Sequence, residues 1–254
     1  MKLDRILVIR RDNIGDLVCT TPAFASLRKH YPGAEIGALV NSYNAEVLRA
    51  NPNVDRVFVY QKLKHAGSFF SQLKALGKRI KLIAQLRSWK PDATILAKSS
   101  YDLRGLNFAR QIGAKNIIGF LPDDIKPTKS LPDIRLTPPV FTETHEVEAI
   151  NRLLGPLDIS DALGPLQVYP EAGAVNDILT RLPGATYRIA LHISAREVER
   201  RWGTDNFIAL AKHILATQPE TQILLFWSPG KADDPHHPGD DEAASKLMSA
   251  LQSK

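Results

Sequence analysis

Ile6-Leu7-Val8-Ile9-Arg10-Arg11-Asp12-Asn13-Ile14-Gly15-Asp16-Leu17-Val18-Cys19-Thr20-Thr21-Pro22 carries a strand, a turn and the start of a helix. Four consecutive apolar residues, Ile6 to Ile9, predict a strand buried on both faces, as in a parallel sheet. The polar turn after them ends at Gly15-Asp16, where helical patterning begins and runs to about Tyr31. In an open α/β sheet, ligands bind beyond the carboxyl ends of the strands, where this turn falls. Gly15 has no Cβ, so another molecule can approach its backbone closely. Asp16 has two readings. It is either a first-turn carboxylate stabilised by helix N–H groups, worth ~1 kcal/mol, or a general base for an acceptor hydroxyl.

The same pattern repeats outward. Glu35 to Val40 reads as a second strand, Asn44 to Ala50 as a short helix stopped near Asn51-Pro52, and Arg56 to Tyr60 as a third strand. Ala93 to Ala97 and Ile117 to Phe120 read as the fourth and fifth. Alternating strands and helices with short connections argue for a parallel sheet with helices on both faces. Between strands three and four, Lys62 to Lys90 contains no acidic residue. There Phe69, Leu73, Leu76, Ile80 and Ile83 recur at helical spacing and predict a core-facing stripe, with Lys74, Lys78 and Lys81 on another face. That basic face is simply solvated, or it also rests on anionic headgroups or meets a phosphorylated acceptor, since core packing uses one face and leaves the other free. Lys98, Ser99 and Ser100 follow the fourth strand and fall at the same crevice as Asp16, unless they form an ordinary strand-to-helix loop. A helix from Leu103 to Ile112 follows.

Leu121 to Pro139, rich in proline and charge, predicts a long loop. The helix opened by Thr144-His145 ends at Leu154-Gly155, and His145 reads as a local cap or packing residue rather than a chemical group. The stretch 156–187 has little periodicity and reads as a linker between a domain at 1–155 and a second α/β unit at 188–254. That unit carries strands at Arg188–Ile193 and Gln222–Trp227 and helices at Thr204–Thr217 and Glu242–Leu251. The ligand-dense run from Asp233 to Glu242 reads as a solvated loop, because its clustered, proline-broken spacing does not suit a metal site.

The bulk numbers exclude several classes. The 254 residues are 44% hydrophobic and 24% charged, ordinary values for a globular chain. No run approaches the ~20 apolar residues of a membrane span. One cysteine, Cys19, rules out an internal disulfide framework and fits a reducing compartment. The amino terminus enters a strand without a signal-peptide core, so a cytoplasmic location is expected. The net charge of +6 suggests an anionic partner. No nucleic-acid module and no aromatic interleaving accompany it, so nucleic acid is not expected.

The run from Ile6 to Val40 closely resembles the amino-terminal signature of glycosyltransferase family 9, the bacterial lipopolysaccharide heptosyltransferases. The resemblance implies a GT-B-type fold: an acceptor-binding Rossmann-like domain followed by a nucleotide-sugar-binding one, here incomplete with two strands. It implies that Asp16 is the catalytic base, that a heptose moves from an ADP-heptose-type donor to a lipopolysaccharide inner-core acceptor, and that no cofactor or metal is needed. The loop after Ile193 resembles the family's donor segment, which implies donor-binding roles for Ser194, Arg200 and Trp202. Arg10, Arg11, Gly15 and Lys98 are the candidates for the acceptor side. The location implied is cytoplasmic, peripheral at the inner face of the inner membrane. A different class stays open, a non-catalytic remnant that binds an anionic glycolipid or sugar acceptor.

Overall fold

A computed structural model describes residues 3–60, 69–122, 134–137, 144–182, 184–195, 197–234 and 238–252. The chain divides into two compact units, Met1–Val175 and Asn176–Lys254.

The first unit is a six-stranded parallel sheet. Its strands are β1 (Arg5–Ile9), β2 (Glu35–Asn41), β3 (Arg56–Tyr60), β4 (Ala93–Leu96), β5 (Ile117–Phe120) and β6 (Ile134–Thr137), in the spatial order β3-β2-β1-β4-β5-β6. The order reverses between β1 and β4, so the crevice at the carboxyl ends of these strands is the expected ligand position in such a sheet. Register is set by side-chain alternation. Ile6 and Val8 of β1 enter one core with Leu17, Phe24, Leu27, Leu48, Ile150 and Leu153. Leu7 and Ile9 enter the other with Leu86, Trp89, Leu106, Phe108 and Ile112.

Among the described residues, six α-helices belong to this unit or cross its boundary: α1 (Ile14–Val18), α2 (Thr21–His30), α3 (Phe69–Trp89), α4 (Leu103–Gln111), α5 (Glu146–Arg152) and α6 (Ala172–Arg181). A 3-10 turn at Ala45–Leu48 replaces the expected short helix. The helix expected to run unbroken to Tyr31 is two helices, because Pro22 supplies no N–H and its ring crowds the carbonyl four residues back. The hydroxyls of Thr20 and Thr21 donate to the carbonyls of Asp16 and Val18 at 2.9 and 2.7 Å, satisfying acceptors exposed by the break.

Three further expectations need correction. The segment 121–139 is not all loop, since β6 pairs in parallel with β5 from Ile117↔Ile134 to Phe120↔Thr137. The first part of the expected linker packs on the first unit: Leu157 and Ile159 are buried in its core, and the Tyr31 hydroxyl donates to the Leu157 carbonyl at 2.9 Å. Its later part forms α6. The stripe on α3 is also different. Leu73, Leu76 and Ile80 are 50%, 46% and 60% exposed, while Leu82, Leu86 and Trp89 are buried. Phe69 has no described side chain. A 21-residue helix is roughly 30 Å long, whereas strands of four to seven residues span roughly 13–23 Å, so the sheet covers only part of α3.

The second unit contains β7 (Tyr187–His192) and β8 (Thr221–Phe226), paired in parallel, with α7 (Thr204–Thr217) and α8 (Asp241–Gln252). Ile193, Ala244 and Leu247 form its small buried cluster. Among the described residues no helix is long and apolar enough to cross a membrane.

Candidate functional site

β1 delivers Arg10 and Arg11 to the crevice on opposite sides of the sheet. Arg10 is 3% exposed and lies among three carboxylates. Its Nε is 2.7 Å from Asp12 Oδ1, and its terminal nitrogens are 3.3 Å from Asp16 Oδ1 and 2.8 Å from Glu146 Oε1. A terminal nitrogen also donates to the Ala97 carbonyl at the end of β4. The expectation that Arg10 holds an acceptor directly is therefore not what the geometry offers. Its guanidinium is committed inside the protein, and its reach is to Asp16.

Asp16 sits in the first turn of α1 with its side chain 32% exposed. Its Oδ2 accepts from the Asn13 backbone N–H at 2.9 Å, so one oxygen is fixed by the helix start and the other by Arg10. The helix-start role is thus present in the structure. Two groups steady the turn from β2. Asn41 donates to the carbonyls of Arg11 and Asp12, and the Tyr43 hydroxyl donates to the Asp12 carbonyl. Burial pushes the Asp12 carboxyl up, with Arg10 opposing and Asp16 adding to the rise. Burial likewise raises the Cys19 thiol, reinforced by Glu146, which keeps it protonated.

Gly15 is exposed, and a Cβ built there meets nothing within 4 Å, so the fold itself does not demand glycine. Lys98 is half-buried just past β4. Arg11 turns to the other face, where its Cζ lies 5.2 Å from the Tyr60 ring centroid and 5.4 Å from that of Phe108. His145 caps α5, its Nδ1 accepting from Val147 N–H at 3.2 Å, as its position predicts.

Sequence reasoning missed Glu146, Asn41 and Tyr43. The signal for the last two was available, since Asn41 ends β2 and Tyr43 follows it, as Asp16 follows β1. Glu146 is remote in sequence from Arg10, and nothing local marks the pair.

In the second unit, Ser194 Oγ accepts from Ser228 N–H at 2.7 Å and joins the loops after β7 and β8. Arg200 is 75% exposed and paired with Glu197 at 2.8 Å, whereas Arg201 turns inward. Arg201 donates to the Ala195 carbonyl at 3.0 Å and to Asp240 Oδ1 at 2.9 Å. Asp240 is 7% exposed, and its second oxygen lacks a hydrogen-bond partner. Both line a cavity of about 330 Å3 with Thr204 and Lys246 of α7 and α8. The basic residue at the cavity is thus Arg201, one position beyond the residue that the loop pattern selects. Trp202 is half-exposed and meets the Phe207 ring edge-on at 5.1 Å. Among the described residues no group of three or more His, Cys, Asp or Glu side chains could hold a metal ion, and His236 and His237 lie outside them.

A parallel sheet with this strand order, followed by a second Rossmann-like unit, defines the GT-B-type fold of glycosyltransferases. The solved structures it matches include glycosyltransferase family 9 from Veillonella parvula, with TM-score 0.73 and 20% identity over 98% of this chain and 68% of that one. They also include the Escherichia coli heptosyltransferase WaaC with ADP, with TM-score 0.70 and 18% identity over 96% and 72%. The fold is that implied by the resemblance of Ile6 to Val40. A curated Haemophilus influenzae protein named "Putative glycosyltransferase" is 40% identical over 60 residues, which are 24% of this chain and 17% of that protein. No protein-family model matches the sequence.

Proposed function

We propose that this chain is a glycosyltransferase of the heptosyltransferase type, moving a heptose from an ADP-heptose donor to an inner-core sugar of lipopolysaccharide. The observation that carries the reading is Asp16, whose two oxygens are held by Arg10 and the Asn13 N–H at the switch point of the first sheet. Asp16 accepts the proton of the acceptor hydroxyl. The freed oxygen lone pair forms the new bond to the anomeric carbon, and the bond to the diphosphate breaks with its electrons leaving on ADP. A positioned base of this kind contributes about 10²–10⁴ in rate. Gly15, Arg11 and Lys98 serve the acceptor side. Ser194, Arg200 and Trp202, joined by Arg201, serve the donor side, where positive charge offsets the charge growing on the departing diphosphate. WaaC, a structural neighbour at low identity, is seen with ADP, which supports the choice of nucleotide. No metal or other cofactor enters this reading.

An acceptor of that kind is met at the cytoplasmic face of the inner membrane, where Lys74, Lys78 and Lys81 touch anionic headgroups. Adding ADP to the chain tests the donor half. A rise in melting temperature with ADP and none with adenosine supports the reading, and equal behaviour with both overturns it.

A further inference from the structure

We propose that Glu146, at the start of α5, is a positioning residue: through the Arg10 guanidinium that both carboxylates share, it fixes where the Asp16 carboxylate points. What this positioning achieves rests on the reading of Asp16 as the base, whereas the link between the two carboxylates is a matter of distances.

Glu146 owes its place to a cap and an anchor. His145 precedes it as the N-cap of α5, its Nδ1 accepting from Val147 N–H at 3.2 Å. One turn further on, Ala149 and Ile150 are fully buried in the core that also holds Leu17 of α1 and Phe24 of α2. A close-packed core transmits displacement rather than absorbing it. The start of α5 is therefore held against the turn that carries Asp16, although the two are remote in sequence.

The guanidinium between them is taken on every edge. Arg10 Nε lies 2.7 Å from Asp12 Oδ1, Nη2 lies 3.3 Å from Asp16 Oδ1, and Nη1 lies 2.8 Å from Glu146 Oε1. Nη1 also donates to the Ala97 carbonyl just past β4. Because the group is planar and rigid, whatever fixes Nη1 also fixes Nη2. Glu146 Oε1 is buried and makes no hydrogen bond, so the ion pair with Arg10 is what compensates its burial. Turning the guanidinium away would strip that compensation, and this penalty holds the fork in one orientation. Arg10 is only 3% exposed, so water offers no substitute.

Asp16 is sensitive to that orientation. Its Oδ2 accepts from Asn13 N–H at 2.9 Å within the turn, while its Oδ1 meets Arg10 at the longest of the three ion-pair distances. At 3.3 Å a shift of a few tenths of an ångström takes the pair outside ordinary hydrogen-bond range. A misplacement of about 1 Å at a reacting group can cost 10²-fold in rate. An ion pair that merely steadied α5 would carry no such influence on Asp16.

Two double-mutant cycles on the whole chain test the proposal. The first follows the Asp16 carboxyl carbon by NMR after labelling with carbon-13 aspartate, the signal being assigned by its loss in Asp16→Asn. Glu146→Gln, which keeps the side chain's shape, displaces that signal at pH 7. In an Arg10→Met background the same substitution displaces it less than half as far, because the guanidinium carries the coupling. Equal displacement in both backgrounds, or none in either, overturns the proposal. The second cycle follows transfer from ADP-heptose. Glu146→Gln lowers kcat by about tenfold with KM for both substrates within about twofold, and costs nothing further in Asp16→Asn. A loss of the same size in the Asp16→Asn background, or an unchanged kcat, overturns it. The kinetic cycle decides should Arg10→Met fold poorly. The NMR cycle needs no turnover, so failure of the positioning role is distinct from failure of the transferase reading.

Discussion

Replacing Arg10 with Met keeps most of the side chain's length and removes its charge from the most densely paired position in the first unit. The structure sets the magnitude. Carboxylate oxygens lie 2.7, 3.3 and 2.8 Å from the guanidinium. At an effective dielectric constant near 20 each pair is worth about 5–6 kcal/mol of gross attraction. Burying the guanidinium costs several kcal/mol of that sum. The carboxylates are 31%, 32% and 26% exposed, so after the substitution each can turn partly toward water. The residual cost is the repulsion of three clustered carboxylates plus the lost bond to Ala97, about 3 kcal/mol at pH 7, the lower end for breaking a buried pair. Burial already pushes the Asp12 carboxyl up and Arg10 opposes it, so without Arg10 Asp12 takes up a proton more readily as pH falls and the gap to the parent narrows. Urea unfolding read by Trp89 fluorescence, in a background with Trp202→Phe and Trp227→Phe, isolates the first unit. A loss below about 1 kcal/mol, or a loss that does not shrink on acidification, refutes the reasoning.

Other outcomes follow from the same geometry. Burial pushes the Glu35 carboxyl up, but the Trp89 indole N–H and Arg56 outweigh it and hold it below its ordinary 4.5. Its stabilisation is therefore present above pH 4.5 and disappears as pH falls through the lower folded-state value. Glu35→Gln should cost about 1 kcal/mol at pH 7 and nothing once the parent's carboxyl is protonated, as read by urea midpoints across pH. Gly37→Ala puts a Cβ 2.7 Å from the Trp89 ring and 3.0 Å from that of Phe58, and should lower stability by about 1–3 kcal/mol in the same assay. On the membrane side, flotation with phosphatidylglycerol vesicles should fall when the exposed Leu76 and Ile80 are changed to Ser, and again when Lys74 and Lys81 are changed to Gln. Unaltered flotation in both variants removes α3 as the contact.

The parallel sheet was legible because its strands are short apolar runs between polar turns, and β3 and β5 fall where their residues predict. The position of the crevice was legible too, since the turn with Asp16 and the turn with Lys98 follow the neighbouring strands β1 and β4. What the chain did not reveal locally is the destiny of each cation. Arg10 and Arg11 are neighbours of one type, and only the pleat and the remote Glu146 separate a buried clamp from a side chain lying against Tyr60 and Phe108. Arg200 and Arg201 repeat the lesson in a loop, where one residue of register decides which faces the cavity. Periodicity on α3 pointed to Leu73, Leu76 and Ile80, whereas the short extent of the sheet buries Leu82, Leu86 and Trp89 instead. β6 was hidden because four residues among prolines and charges carry too little pattern to stand out.

Transfer of heptose from ADP-heptose to a lipopolysaccharide acceptor, compared between the chain and Asp16→Asn with both melting temperatures recorded, addresses the assignment of the base. The expected result is a rate reduced by about 10²–10⁴ with the fold intact. Undiminished transfer by a folded Asp16→Asn variant contradicts it.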